Sequence, residues 1–255
     1  MFTHDTVVFS MAGKNEALFK PFLFADQDLD ALLLDMTPRP GALAEAVAHL
    51  RVGDAAEAEV VLGSAILTAP GEVTPWHRLV LALAQTRRGN DAAATRTLRG
   101  LAGSSKDARI RLWCWQALRR LGATPGDAEA RKVEGAVVEV DGGHGVETLA
   151  AYADGTARYL LPTGAKVIWD APDARLERAV ADVIAGAGTV LDLLAPGRLP
   201  GEPGANTARM TVLCPSGPRA ADEPLDMATT EASRFAPLFG PATTLMQKIV
   251  ALAKW

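Results

Sequence analysis

Cysteine is nearly absent: Cys114 and Cys214 stand far apart in the chain. Two residues cannot build a disulfide framework, and without a local CxxC pair they cannot supply a thiolate metal site. Each lies in an apolar run, LWCWQAL and MTVLCP, the setting of a small buried hydrophobe in a reducing compartment. Histidine is equally sparse. His4, His49, His77 and His144 are scattered singly, and none forms the HExxH spacing that zinc chemistry needs. Phosphate-loop and dinucleotide fingerprints are missing as well. Ser216 sits in CPSGP between Pro215 and Pro218, which denies it the GxSxG turn of a nucleophile elbow. Asp26, Asp28 and Asp30 in DQDLD open like a calcium loop, but Ala31 and Thr37 occupy its sixth and twelfth positions. An acidic cluster at a helix N-terminus explains them. No run approaches the ~18–20 apolar residues of a membrane span, and the longest, 179–195, is broken by Asp182 and Asp192. The N-terminus, MFTHDTVVFSMAGK, lacks the basic and apolar regions of a signal peptide. The expectation is a cytoplasmic protein with no metal, no cofactor and no membrane partner.

Aromatic residues are few, at 5%, while 49% of the chain is hydrophobic, so Leu, Val and Ala on closely packed helices must carry the core. A chain of 255 residues can bury roughly 70% of its unfolded surface without staples. Its charge is segregated. Residues 1–72 hold 4 Lys/Arg against 11 Asp/Glu, residues 73–132 hold 12 against 4, and residues 133–255 hold 10 against 15. The basic middle, with eight arginines from Arg87 to Arg120, could face nucleic acid or another acidic partner. The chain as a whole is acidic, at net −4, and shows no nucleic-acid-binding motif. Pairing with the acidic residues 1–72, or simple solvation, is therefore the favoured account.

Residues 13–36 read as helical, with Leu29, Leu32, Leu33 and Met36 on one stripe, closed by Pro38 and Pro40. From 41 to about 122 short amphipathic helices alternate with Gly or Pro. Two turns look alike, Gly53-Asp54-Ala55-Ala56-Glu57-Ala58 and Gly89-Asn90-Asp91-Ala92-Ala93-Ala94, at the period of a helix-turn-helix repeat. Ala58, Ala65 and Pro70 fall at the small-residue and closing-proline spacing of a tetratricopeptide repeat, and this third of the chain resembles degenerate repeats of that kind. In the second copy Leu101 and Lys106 replace the later alanine and the proline, and the aromatic signature of the first helix is missing. The resemblance implies stacked helical hairpins.

The helix expected over 107–121 has two apolar faces. Ile110, Trp113, Cys114, Ala117, Leu118 and Leu121 form one stripe; Leu112 and Trp115 point the other way, flanked by Arg111 and Arg119. Arg and Trp are enriched in binding hot spots, so Arg111, Leu112, Trp115 and Arg119 are the candidate interaction surface.

After ATPGDAEA, 123–130, the period shortens toward two. Stretches 134–140, 146–153, 156–161 and 166–170 read as strands of an antiparallel meander, with Asp154-Gly155 the strongest hairpin turn. A helix follows over 173–194, then a loop, 196–206, a fifth strand, 208–214, and a closing helix, 238–253. This order loosely resembles roadblock- or longin-like modules. Asp141 and His144 in DGGHG are the candidate ligand-binding pair, although turn geometry alone accounts for the glycines.

The expected architecture is α+β: a helical-hairpin domain over 1–125, then about five antiparallel strands packed with two helices over 131–255. The expected function is non-enzymatic binding of another protein, as a scaffold or adaptor. Two alternatives remain: a small-molecule-sensing module in the second domain, with Tyr152, Tyr159, Trp169 and His144 as wall residues, and a hydrolase or metalloenzyme with an unrecognised site.

Overall fold

Gly53 and Gly89 close helices in the same way. Both take positive φ, +85° and +72°, the conformation a Schellman ending requires. Gly53 N–H donates to Leu50 O and Asp54 N–H to His49 O; Gly89 N–H donates to Thr86 O and Asn90 N–H to Gln85 O. The next residue then caps the following helix. Asp54 accepts from Glu57 N–H at 3.1 Å, and Asn90 from Ala93 N–H at 3.3 Å. The two turns alike in sequence are thus alike in hydrogen bonding.

The computed structural model describes residues 20, 22–35 and 37–253. Of the helix expected over 13–36, residues 13–19, 21 and the stripe position Met36 lie outside them. The described part is not one helix, because the chain leaves helical geometry over 25–28, with Ala25 at φ +46°, before a new helix begins at Leu29. The chain divides into two compact units. Helices occupy its N-terminal part and an antiparallel sheet its C-terminal part.

The helical unit spans residues 25–124 of those described. It holds α1 (Leu29–Asp35), α2 (Ala42–Arg51), α3 (Ala55–Thr68), α4 (Pro75–Arg87), α5 (Asp91–Ser104) and α6 (Ala108–Arg120). From α2 to α6 each helix packs on the next, and α4 also meets α2 and α6. Trp76 of α4 and Trp113 of α6 stack at 5.3 Å with a 52° tilt, in the range that tilted aromatic pairs prefer.

The sheet unit comprises residues 125–253 together with 20–24. A short helix α7 (Asp127–Ala130) leads into β1 (Gly135–Asp141), β2 (Val146–Tyr152), β3 (Ala157–Leu160) and β4 (Lys166–Trp169). Helix α8 (Glu177–Val190) follows, then β5 (Ala195–Pro196), β6 (Thr207–Cys214), β7 (Gly217–Pro224), α9 (Leu225–Ala228) and α10 (Ala236–Leu252). The strand order is β4-β3-β2-β1-β6-β7-β5, antiparallel at each pairing.

Seven strands stand where the sequence pattern predicts about five. The two additions have physical reasons for escaping the pattern. β5 has two residues, too few to show a period. β7, GPRAADEP, is rich in residues that strands disfavour, and its prolines are tolerated because only the two-residue β5 lies beyond it.

One face of the sheet carries the core. Val138, Leu149, Met210 and Val212 meet Val180, Val183 and Val190 of α8 and Leu238, Leu245 and Ile249 of α10 in one buried cluster. The other face is buried around Val137, Ala150, Tyr152 and Leu213. Residues 20–24 tie into this unit: Tyr152 donates to Leu23 O at 2.6 Å, Arg198 lies 3.7 Å over the Phe24 ring, and Lys20 Nζ sits 2.9 Å from Glu139 Oε1.

Candidate functional site

Strand alternation and register assemble charges that lie far apart in sequence. Glu139 of β1 stands opposite Thr148 of β2 and Arg209 of β6, and Arg209 stands opposite Asp222 of β7. Thr148, Glu139 and Arg209 are buried. Arg209 donates from Nε and Nη2 to the two oxygens of Asp222 at 2.7 and 3.0 Å, and from Nη1 to Gly201 O at 2.7 Å. This bidentate fork and the nearby Glu139 raise the Arg209 pKa against the opposing effect of burial. In the neighbouring row Arg158 is buried, pairs with Asp170 and lies 5.3 Å over the Tyr152 ring. Each acid of the row has a cation at hydrogen-bonding distance: Glu139 has Lys20, and Asp222 has Arg209. The arrangement works as a neutralised cross-strand lock, and no sequence motif marks it, because it exists only through the register.

Asp141 and His144 lie at the tip of the β1–β2 hairpin. Asp141 Oδ1 accepts from Gly143 N–H at 2.7 Å, an Asx-type turn, and His144 is exposed. Among the described residues no group of three or more His, Cys, Asp and Glu is placed to hold a metal ion. Tyr159 and Trp169 belong to the helix-covered core, Tyr152 faces the opposite side, and His144 sits at the hairpin tip. These four do not line one wall.

The structure buries the apolar pair expected to form an interaction surface on α6. Leu112 and Trp115 are 5% and 6% exposed, so no open apolar face stands there. A helix with apolar stripes on both sides is buried on both sides. Arg111 donates to Ser105 O and Lys106 O, the carbonyls just past the end of α5. Burial lowers the pKa of Arg119 while Asp26 opposes the shift. Three arginines of the basic segment pair with the acidic one: Arg87 with Asp30, Arg88 with Glu59 and Arg120 with Asp28.

A pocket of about 310 Å³ lies in the helical unit among Arg39, Leu43, Ala69, Glu72, Val73 and His77. It is at the small end for a ligand site, and the His77 ring is engaged by Thr74 N–H at 3.1 Å in capping α4.

The outward face of α3 is different. Val60 and Leu67 are 61% and 82% exposed, and Val52 just before the helix is 81% exposed. Ala56 and Ser64 are also exposed on this side, whereas Ala55, Ala58 and Leu62 face the core. The helix carries two charges, Glu57 and Glu59, both near its start. Among the described residues this is where the large exposed hydrophobic side chains concentrate. Comparison with known proteins places nothing beside it. No protein family, curated protein or solved structure matches this chain. The chemistry of the site must therefore be argued from its own residues. Among the described residues no helix is long and apolar enough to cross a membrane.

Proposed function

We propose that this chain works by binding another protein, without catalysis, through the outward face of α3. The observation that carries this reading is the exposure of Val60 and Leu67 on one side of a helix whose other side is already packed. A helix apolar on all sides is ordinarily buried on all sides, and exposed apolar patches mark interaction sites. The like-built turns at Gly53 and Gly89 support reading the helices as stacked hairpins of tetratricopeptide type, an architecture that presents helix faces to partners. The acidic Glu57 and Glu59 beside the stripe disfavour a nucleic-acid partner there.

The test is a photoreactive amino acid at position 67, with position 99 on α5 as the control, in cells producing the full chain. The expected result is a discrete adduct at 67 that disappears with Val60→Glu and is missing at 99. No adduct at 67, or one indifferent to Val60→Glu, would overturn the reading.

A further inference from the structure

We propose that the occupant of the α3 face is a second copy of this chain, with α3 packed antiparallel on α3 about a two-fold axis. The inference rests on the reading of α3 as a contact face and names its partner. Its basis is the order of side-chain sizes. Ala56, Val60, Gly63 and Leu67 follow one another at spacings of four, three and four, the seam of a helix pair that packs knobs into holes. The sizes run small, large, small, large.

An axis midway between Val60 and Gly63 sets Leu67 against Ala56 of the second copy and Val60 against its Gly63. The same two pairs recur on the other side of the axis, as an isologous interface demands. Every projecting side chain then meets a hollow. A Cβ placed on Gly63 would meet nothing within 4 Å beyond its own turn of helix, so the hollow is open. A parallel alignment would set Gly63 on Gly63 and Ala56 on Ala56, leaving two of the four layers underfilled. Charge selects the same orientation. Glu57 and Glu59 lie at the start of α3 and its second half has no charge; antiparallel packing keeps the two acidic ends apart, and parallel packing would stack them.

A helix of 14 residues is about 21 Å long. A seam of that length buries less than the ~800 Å² per partner of a standard stable interface, so the dimer should be a reversible one that forms and dissociates with concentration.

Analytical ultracentrifugation of the full chain over a wide concentration series tests this. The expected result is a monomer that becomes a dimer as concentration rises. Leu67→Glu should weaken the dimer at least about tenfold. Gly63→Leu adds its side chain where a Cβ meets no neighbouring element, so it should leave the fold intact by circular dichroism and, by filling the hollow, abolish the dimer. Orientation is read from cross-linking under a mild oxidant. The pair Ala56→Cys with Leu67→Cys should yield a covalent dimer, whereas Ala56→Cys alone should not, its two copies being held far apart. A chain monomeric at every concentration, a dimer indifferent to both Leu67→Glu and Gly63→Leu, or rapid cross-linking through Ala56→Cys alone would overturn the proposal. If the chain is monomeric but an adduct at position 67 joins it to a different protein, only the choice of partner fails. If there is neither dimer nor adduct, the contact-face reading fails with it.

Discussion

At Gly186 the backbones of α8 and α10 come close together. A Cβ at that position would lie 1.9 Å from Pro237 O and 3.1 Å from Leu238 Cα, and backbone cannot yield as a flexible side chain can. Gly186→Ala should therefore force the two helices apart and lower unfolding stability by about 1–3 kcal/mol, despite alanine's better helix propensity. Urea denaturation checks this; an unchanged or raised midpoint would refute it. Asp28 makes a different residue-scale statement. It accepts from Asp30 N–H at 3.0 Å at the start of α1 and pairs with Arg120. Burial pushes its pKa up, but the Arg120 hydrogen bond, the backbone bond and the charges of Arg120 and Arg87 together hold it below the ordinary aspartate value of 3.8. A carboxyl lowered on folding stabilises the fold fully above its unfolded pKa and loses that contribution as pH falls through the folded one. Asp28→Asn should accordingly melt below the parent at neutral pH, and the gap should close below pH 3.8. A gap that stays constant with pH would show that the charge has no part in it.

At the scale of elements, some structure was legible in sequence and some was not, for definite reasons. The helix over 107–121 and the strands β1 to β4 follow the apolar period, which local sequence carries directly. The outward face of α3 was hidden because AAEAEVVLGSAILT is apolar in every direction, so periodicity cannot say which side packs. The row Glu139, Arg209 and Asp222 was hidden because it spans three strands and depends on which residue faces which. Its energetic weight can be measured. Arg209→Met removes the fork on Asp222 and the bond to Gly201 O that holds the 197–206 loop to β6. Removing one partner of a fully buried pair costs about 3–5 kcal/mol. Asp222 is 37% exposed at its side chain and keeps some water, so about 2–3 kcal/mol is expected here. A loss under about 0.5 kcal/mol, the size of an ordinary surface change, would mean that the lock holds nothing.

For the whole molecule, the scarcity of cysteine becomes a measuring device. Cys114 lies in the helical unit and Cys214 in the sheet unit. Both are buried, and burial pushes each thiol up, Cys214 to about 11 and Cys114 further. A buried, protonated thiol is inert toward disulfide reagents, so neither should react in the native protein, and each should become reactive when its own unit opens. Pulsed thiol labelling along a denaturant series, read by peptide mass, then gives one unfolding midpoint for each unit. Gly186→Ala, in the sheet unit, should lower the Cys214 midpoint and leave that of Cys114 in place. If both midpoints move together by the same amount, the two units unfold as one cooperative body. Reaction of either thiol without denaturant would contradict the packing around it, where Trp113 beside Cys114 and Val212 near Cys214 are both buried.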